Sequence, residues 1–156
     1  MMRKKNFLSF LLSVVLIITS CTLNPQKDFT DWEVVVLEGV GCFRLPLGWS
    51  MEQTGDFLTG YDENGNAVML EITEESVYGD YEPIDEYEEF FSNSSAYGKY
   101  RYLINEQEVE LFMVDFSFYT EENDFSESLV FVFLNPDIDE EIVRKIAMSY
   151  EMQGMS

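Results

Sequence analysis

The chain has 156 residues, thirty of them acidic and nine basic, with no histidine and a formal net charge of −21. That balance excludes a nucleic-acid-binding surface, which rests on clustered Lys and Arg, and it disfavours flat adhesion to anionic lipid. Without histidine there are no Ser-His or Cys-His nucleophile pairs and no histidine-bearing zinc sites, while 46% hydrophobic and 15% aromatic residues give enough apolar surface for a folded domain.

The first twenty residues read as a targeting signal. Arg3, Lys4 and Lys5 form a basic opening, and an apolar stretch runs from Phe7 to Ile18, interrupted only by Ser9 and Ser13. About twelve residues is short of the roughly 20 that span a bilayer as a helix, and is the length of a signal-peptide core. Ile18-Thr19-Ser20-Cys21 resembles the bacterial lipobox: an aliphatic residue and two small ones precede a cysteine whose thiol receives the diacylglyceryl group. The expected organisation is a lipoprotein signal peptide over residues 1–20, lipidation at Cys21, a lipidated tether over 21–31 and a folded domain over 32–156. Cleavage before Cys21 leaves 136 residues, an ordinary size for one domain. It removes three basic residues and no acidic ones, so the net charge becomes −24. The polar run Thr22 to Thr30 reaches about 30 Å when extended. With Cys21 lipidated, Cys42 has no disulfide partner within the chain, and its apolar neighbours Val40, Gly41 and Phe43 mark it as a buried small hydrophobe.

Within the domain, Glu33 to Leu37 and Gly39 to Arg44 are β-branched, apolar runs expected to be strands, ending at Leu45-Pro46-Leu47-Gly48-Trp49. Phe57 to Tyr61 and Ala67 to Thr73 flank Asp62-Glu63-Asn64-Gly65-Asn66, a hairpin signal because Asn and Gly both tolerate positive φ. Pro83 precedes a helix expected over Ile84 to Phe91, with Ile84, Tyr87 and Phe91 on one face. Tyr97 to Ile104 and Val109 to Thr120 form a second hairpin around Asn105-Glu106-Gln107-Glu108. Phe112, Val114, Phe116 and Phe118 share one face of its longer strand, and Val109, Leu111 and Met113 begin the other. Leu129 to Leu134 is apolar throughout, as in a central strand covered on both faces. A closing helix is expected from Ile138 to about Tyr150, with Asp137 as N-cap and Glu140 completing a capping box.

Cys42-Phe43-Arg44-Leu45-Pro46-Leu47-Gly48-Trp49 resembles the strand and Leu-Pro-x-Gly-Trp opening of the PsbP-like family, which includes small bacterial lipoproteins of the DcrB type. The order of expected elements over roughly residues 33 to 150 is similar as well. The resemblance implies an α+β fold, a single antiparallel β-sheet flanked by helices in an α/β/α sandwich. It also implies a protein that acts by binding and not by catalysis, and it carries no catalytic residues across.

The chemistry-bearing residues point the same way. The nine glycines are scattered, with no phosphate-cradling spacing. A Ser-Lys pair would have to use Lys27, Lys99 or Lys145, and Lys27 in the tether and Lys145 on an exposed helix face are not easily desolvated. Asp62-x-Asn64-x-Asn66 has a superficial likeness to a calcium loop, but glycine stands at the fourth position and Thr73 at the twelfth. The acidic stretches from Asp80 to Glu89 and at Glu121, Glu122 and Asp124 read as solvated faces. Tyr78, Asp80, Tyr81 and Glu82, in an expected loop, pair aromatic rings with carboxylates and form the candidate partner surface. The expectation is a non-catalytic extracytoplasmic lipoprotein with no cofactor or metal, held at the membrane through Cys21 and serving an envelope protein partner. The alternative is a small-ligand or cation carrier with a pocket between sheet and helix.

Overall fold

A computed structural model describes residues 29–73, 81–90, 94–104, 106–119 and 126–153, with the backbone alone at 81–90, 103–104 and 126. Ten strands are present there: β1 (Trp32–Leu37), β2 (Gly41–Pro46), β3 (Ser50–Thr54), β4 (Phe57–Tyr61), β5 (Ala67–Ile72), β6 (Tyr81–Phe90), β7 (Ser95–Ile104), β8 (Gln107–Tyr119), β9 (Ser126–Phe133) and, after the helix α1 (Glu140–Met148), β10 (Glu151–Met152). They form two antiparallel sheets, ordered β3-β4-β5-β9-β8-β7-β6 and β1-β2-β10.

The fold is therefore mostly β, and the expected α/β/α sandwich of one sheet flanked by helices is overturned. The second layer is the small sheet and α1, side by side over one face of the large sheet. Phe43 of β2 lies 4.9 Å from Phe116 of β8 and 6.1 Å from Phe131 of β9. Leu37, Phe43, Leu45, Met69, Val114, Phe131, Phe133, Val143, Ile146 and Tyr150 bury together in this one core. Period-two alternation places Phe112, Val114 and Phe116 on that face, as the sequence predicts. The opposite face of β8 and β9 buries Leu111, Met113, Val130 and Val132, so these two strands are covered on both sides.

Where a helix is expected at Ile84 to Phe91, residues 84–90 belong to the strand β6, and Phe91 lies outside the described residues. As a helix, Asp85 would meet Glu88 and Glu89 at i+3 and i+4, where like charges repel; as a strand, neighbouring residues alternate between faces. Strand β6 pairs with β7 through a bulge between Pro83 and Tyr87, which accommodates the proline at the sheet edge.

The closing helix is shorter than expected. Its N-cap is Asp139, not Asp137, and the Asp139 carboxylate accepts from the Glu141 N–H at 3.0 Å. Asp137 instead donates its backbone N–H to Asn135 Oδ1. After Met148 the chain turns: the Ser149 hydroxyl donates to Ile146 O and accepts from Arg44 N at 2.8 Å, tying the helix end to β2. Residues Glu151 and Met152, expected to lie beyond the helix, pair with Cys42 and Gly41 as β10.

The Asn-Gly hairpin forms, with one difference. Gly65 has φ +79 while Asn64 keeps a negative φ, and the Gly65 N–H bonds Asp62 O at 3.0 Å, closing a turn in which only the glycine is left-handed. The second hairpin is tighter than expected: Ile104 pairs with Gln107, so Gln107 and Glu108 belong to β8.

Candidate functional site

Cys21, the expected lipidation residue, lies outside the described residues, as do Tyr78 and Asp80 of the expected partner surface. Tyr81 and Glu82 do not sit in a loop. They open β6, opposite Tyr102 and Arg101 of β7, at one edge of the large sheet. A loop reading followed from Gly79 and the acids; the β-forming tyrosines and the pairing capacity of β7 outweigh it. Cys42 is fully buried in β2, as its apolar neighbours predict.

The calcium-loop residues are consumed by the turn. Asp62 Oδ1 accepts from the backbone N–H groups of Asn64 and Asn66 at 2.9 and 2.8 Å, and Asp62 Oδ2 accepts from the Asn66 amide at 3.0 Å. The Asn66 side chain, followed by these backbone donors, holds the Asp62 carboxyl below its ordinary pKa. Among the described residues, no three His, Cys, Asp or Glu side chains converge in a way that could hold a metal ion. No helix among them is long and apolar enough to cross a membrane.

The charges are distributed unevenly. Lys99 lies 3.5 Å from Glu110 and over the Phe112 ring, Arg101 reaches Glu108 at 3.6 Å, and Arg144 and Lys145 both approach Glu141. The Arg44 guanidinium stacks over the Phe29 ring at 5.8 Å. Every basic residue described thus has an acidic or aromatic neighbour within the chain, whereas Asp31, Glu33, Glu38, Glu52, Asp56 and Glu63 all lie exposed. The surface is an anionic field with its cations already neutralised, and such a field steers cationic partners toward it.

The sheet edges are the other feature that can bind, because an edge strand presents unpaired backbone N–H and C=O groups. Among the described residues four strands are edges: β3 and β6 of the large sheet, β1 and β10 of the small one. Strand β6 carries Pro83, a bulge and acids at five of its ten positions. Strand β3 has five residues, with exposed Glu52, Gln53 and Thr54, and β10 has two. Strand β1 differs. Its six residues, Trp-Glu-Val-Val-Val-Leu, include one acid and no proline, and the side chains of Val34 and Val36 are 42% and 57% exposed. Sequence reasoning recognised β1 as a strand but not as an edge, since position within a sheet is set by long-range pairing. The valine run with apolar residues on both faces was the available signal.

Compared with family models, with curated proteins and with solved structures, the chain matches none of them.

Proposed function

We propose that this protein is an extracytoplasmic lipoprotein, anchored to the bacterial cell membrane through Cys21, that acts without catalysis by binding an envelope protein. The observation that carries the reading is Ile18-Thr19-Ser20-Cys21 placed directly behind a basic opening and an apolar core of signal length. The first described residue, Phe29, is eight residues after Cys21, and the sequence between them is mostly polar. Two further observations support binding at the surface over a carrier role. The described cations have acidic or aromatic neighbours within the chain while the acids are exposed, and the space between large sheet and helix is filled by Phe116, Val143, Ile146, Ala147 and Tyr150 in one packed cluster.

Replacing Cys21 by alanine tests the address. The variant is expected to accumulate as unprocessed precursor and to lose all incorporation of labelled fatty acid, measured by gel mobility and metabolic labelling. Unchanged processing and labelling in Cys21→Ala would overturn the lipoprotein reading.

A further inference from the structure

We infer that β1 is a docking edge that accepts an extended strand from another polypeptide, one with alternating apolar side chains and a Lys or Arg at each end. The inference rests on the proposed binding role and specifies its surface.

The argument begins with the contrast among edges. Natural sheets guard their edges with prolines, charges, bulges or brevity. Here β6 and β10 carry such devices. Strands β1 and β3 each hold a single acid, but β3 exposes only the polar Ser50, Glu52, Gln53 and Thr54 while β1 exposes Val34 and Val36, so β1 is the least protected. Strand β1 pairs with β2 along its whole length, from Trp32 opposite Pro46 to Leu37 opposite Gly41. Every second residue therefore turns its N–H and C=O away from β2, along an edge about 20 Å long. Val34 and Val36 point to the same face and are exposed, which supplies a short apolar track beside the free backbone groups.

Charge decides the occupant. Asp31 and Glu33 lie exposed at one end of β1 and Glu38 at the other. The one cation in register with the strand, Arg44 opposite Val34, is held over Phe29. A second copy of the processed chain would bring the same acids and a second net charge of −24 against this edge. A strand with basic ends meets both acidic ends and covers the valines between them. Location adds to this: Trp32 is eleven residues from Cys21, so an anchored protein holds this edge within about 40 Å of the bilayer.

The test uses the full lipidated protein in neutral detergent micelles. The probe is a synthetic peptide of alternating valine and threonine with a lysine at each end. Binding should slow amide hydrogen exchange across Trp32–Leu37 and weaken as salt is raised. The double variant Val34→Lys/Val36→Lys, at exposed positions, should lose about tenfold or more in affinity. The variant Glu33→Lys/Glu38→Lys should lose the lysine-ended peptide and gain one ended in glutamate, a swap that misfolding cannot produce. Protection on β3 or β6 instead, peptide affinity indifferent to both variants, or self-association of the protein through β1 would each overturn the inference. Loss of lipidation in Cys21→Ala reports on the address alone, and exchange at β1 reports on the edge alone, so the two failures are distinguishable.

Discussion

The ring of Tyr150 stacks on Phe116 at 4.6 Å, and its hydroxyl lies 3.1 Å from Val40 O and 3.0 Å from Ser117 O. Those carbonyls belong to different layers, the turn before β2 and strand β8, so one phenol holds the two together. Burial, with the nearby Cys42 and Asp115, pushes its pKa well above the ordinary tyrosine value, and the hydroxyl keeps its proton throughout the physiological range. Tyr150→Phe keeps the stacking but leaves both carbonyls without this donor, and should cost about 1–2 kcal/mol in urea unfolding. Glu71 offers a different test. It is half-buried, and burial pushes its carboxyl upward, opposed by the Leu58 N–H, which donates to it at 2.8 Å. A raised folded pKa means the protonated form is favoured in the fold, so stability from this group is full at low pH and falls as pH rises through the carboxylate range. Glu71→Gln keeps an acceptor for Leu58 and removes the charge. Its melting temperature should exceed that of the parent at pH 7, and the difference should vanish below about pH 4, where both are neutral. Neither role was legible in the sequence, because Tyr150 reads as the last residue of a helix face and Glu71 as one acid among thirty.

Strands β4 and β5, the paired faces of β8 and the doubly covered β9 were all visible in the residue pattern, because period-two alternation and an Asn-Gly turn are local signals. Strand β10 was not. Two residues carry no periodicity, and their pairing depends on Gly41, forty residues after the chain start and more than a hundred before its partner. A Cβ at Gly41 would collide with the carbonyl oxygen of Glu151 and meet the Tyr150 ring at 3.0 Å, and the residue adopts φ +153. Gly41→Ala should therefore push β10 off the small sheet and lower stability by about 2–4 kcal/mol, read from thermal melting. Strand β6 shows the opposite failure. Spacing of Ile84, Tyr87 and Phe91 fits a helix, but the clustered acids between them disfavour one, and an available edge on β7 settles the outcome. Of the candidate partner surface, Tyr81 and Glu82 open an edge strand, a placement the sequence had no means of showing because it depends on pairing with Tyr102 and Arg101.

At the scale of the whole molecule, thirty acids confront nine bases, and the described ion pairs occupy only a few of the acids. Mutual repulsion at neutral pH works against compactness, and salt screens it. Raising sodium chloride from about 10 mM to about 0.5 M should raise the melting temperature, since the repulsion relieved exceeds the few exposed pairs weakened. A falling melting temperature would show that the pairs at Glu108, Glu110 and Glu141 matter more than the net field.

The small sheet joins β1 and β2, made first, to β10, made nearly last. Long-range closures of this kind form slowly, because the loop entropy is spent before the contact is gained. A ribosome that has produced residues 32–140 has produced a seven-stranded sheet whose inner face still lacks its helix, and a two-stranded hairpin still lacks its third strand. The nascent chain thus stays unfinished until α1 and β10 are free of the ribosome. A chain cut before Glu151 would lack β10, leave Gly41 and Cys42 of β2 without their second partner strand, and expose that margin of the core to proteases.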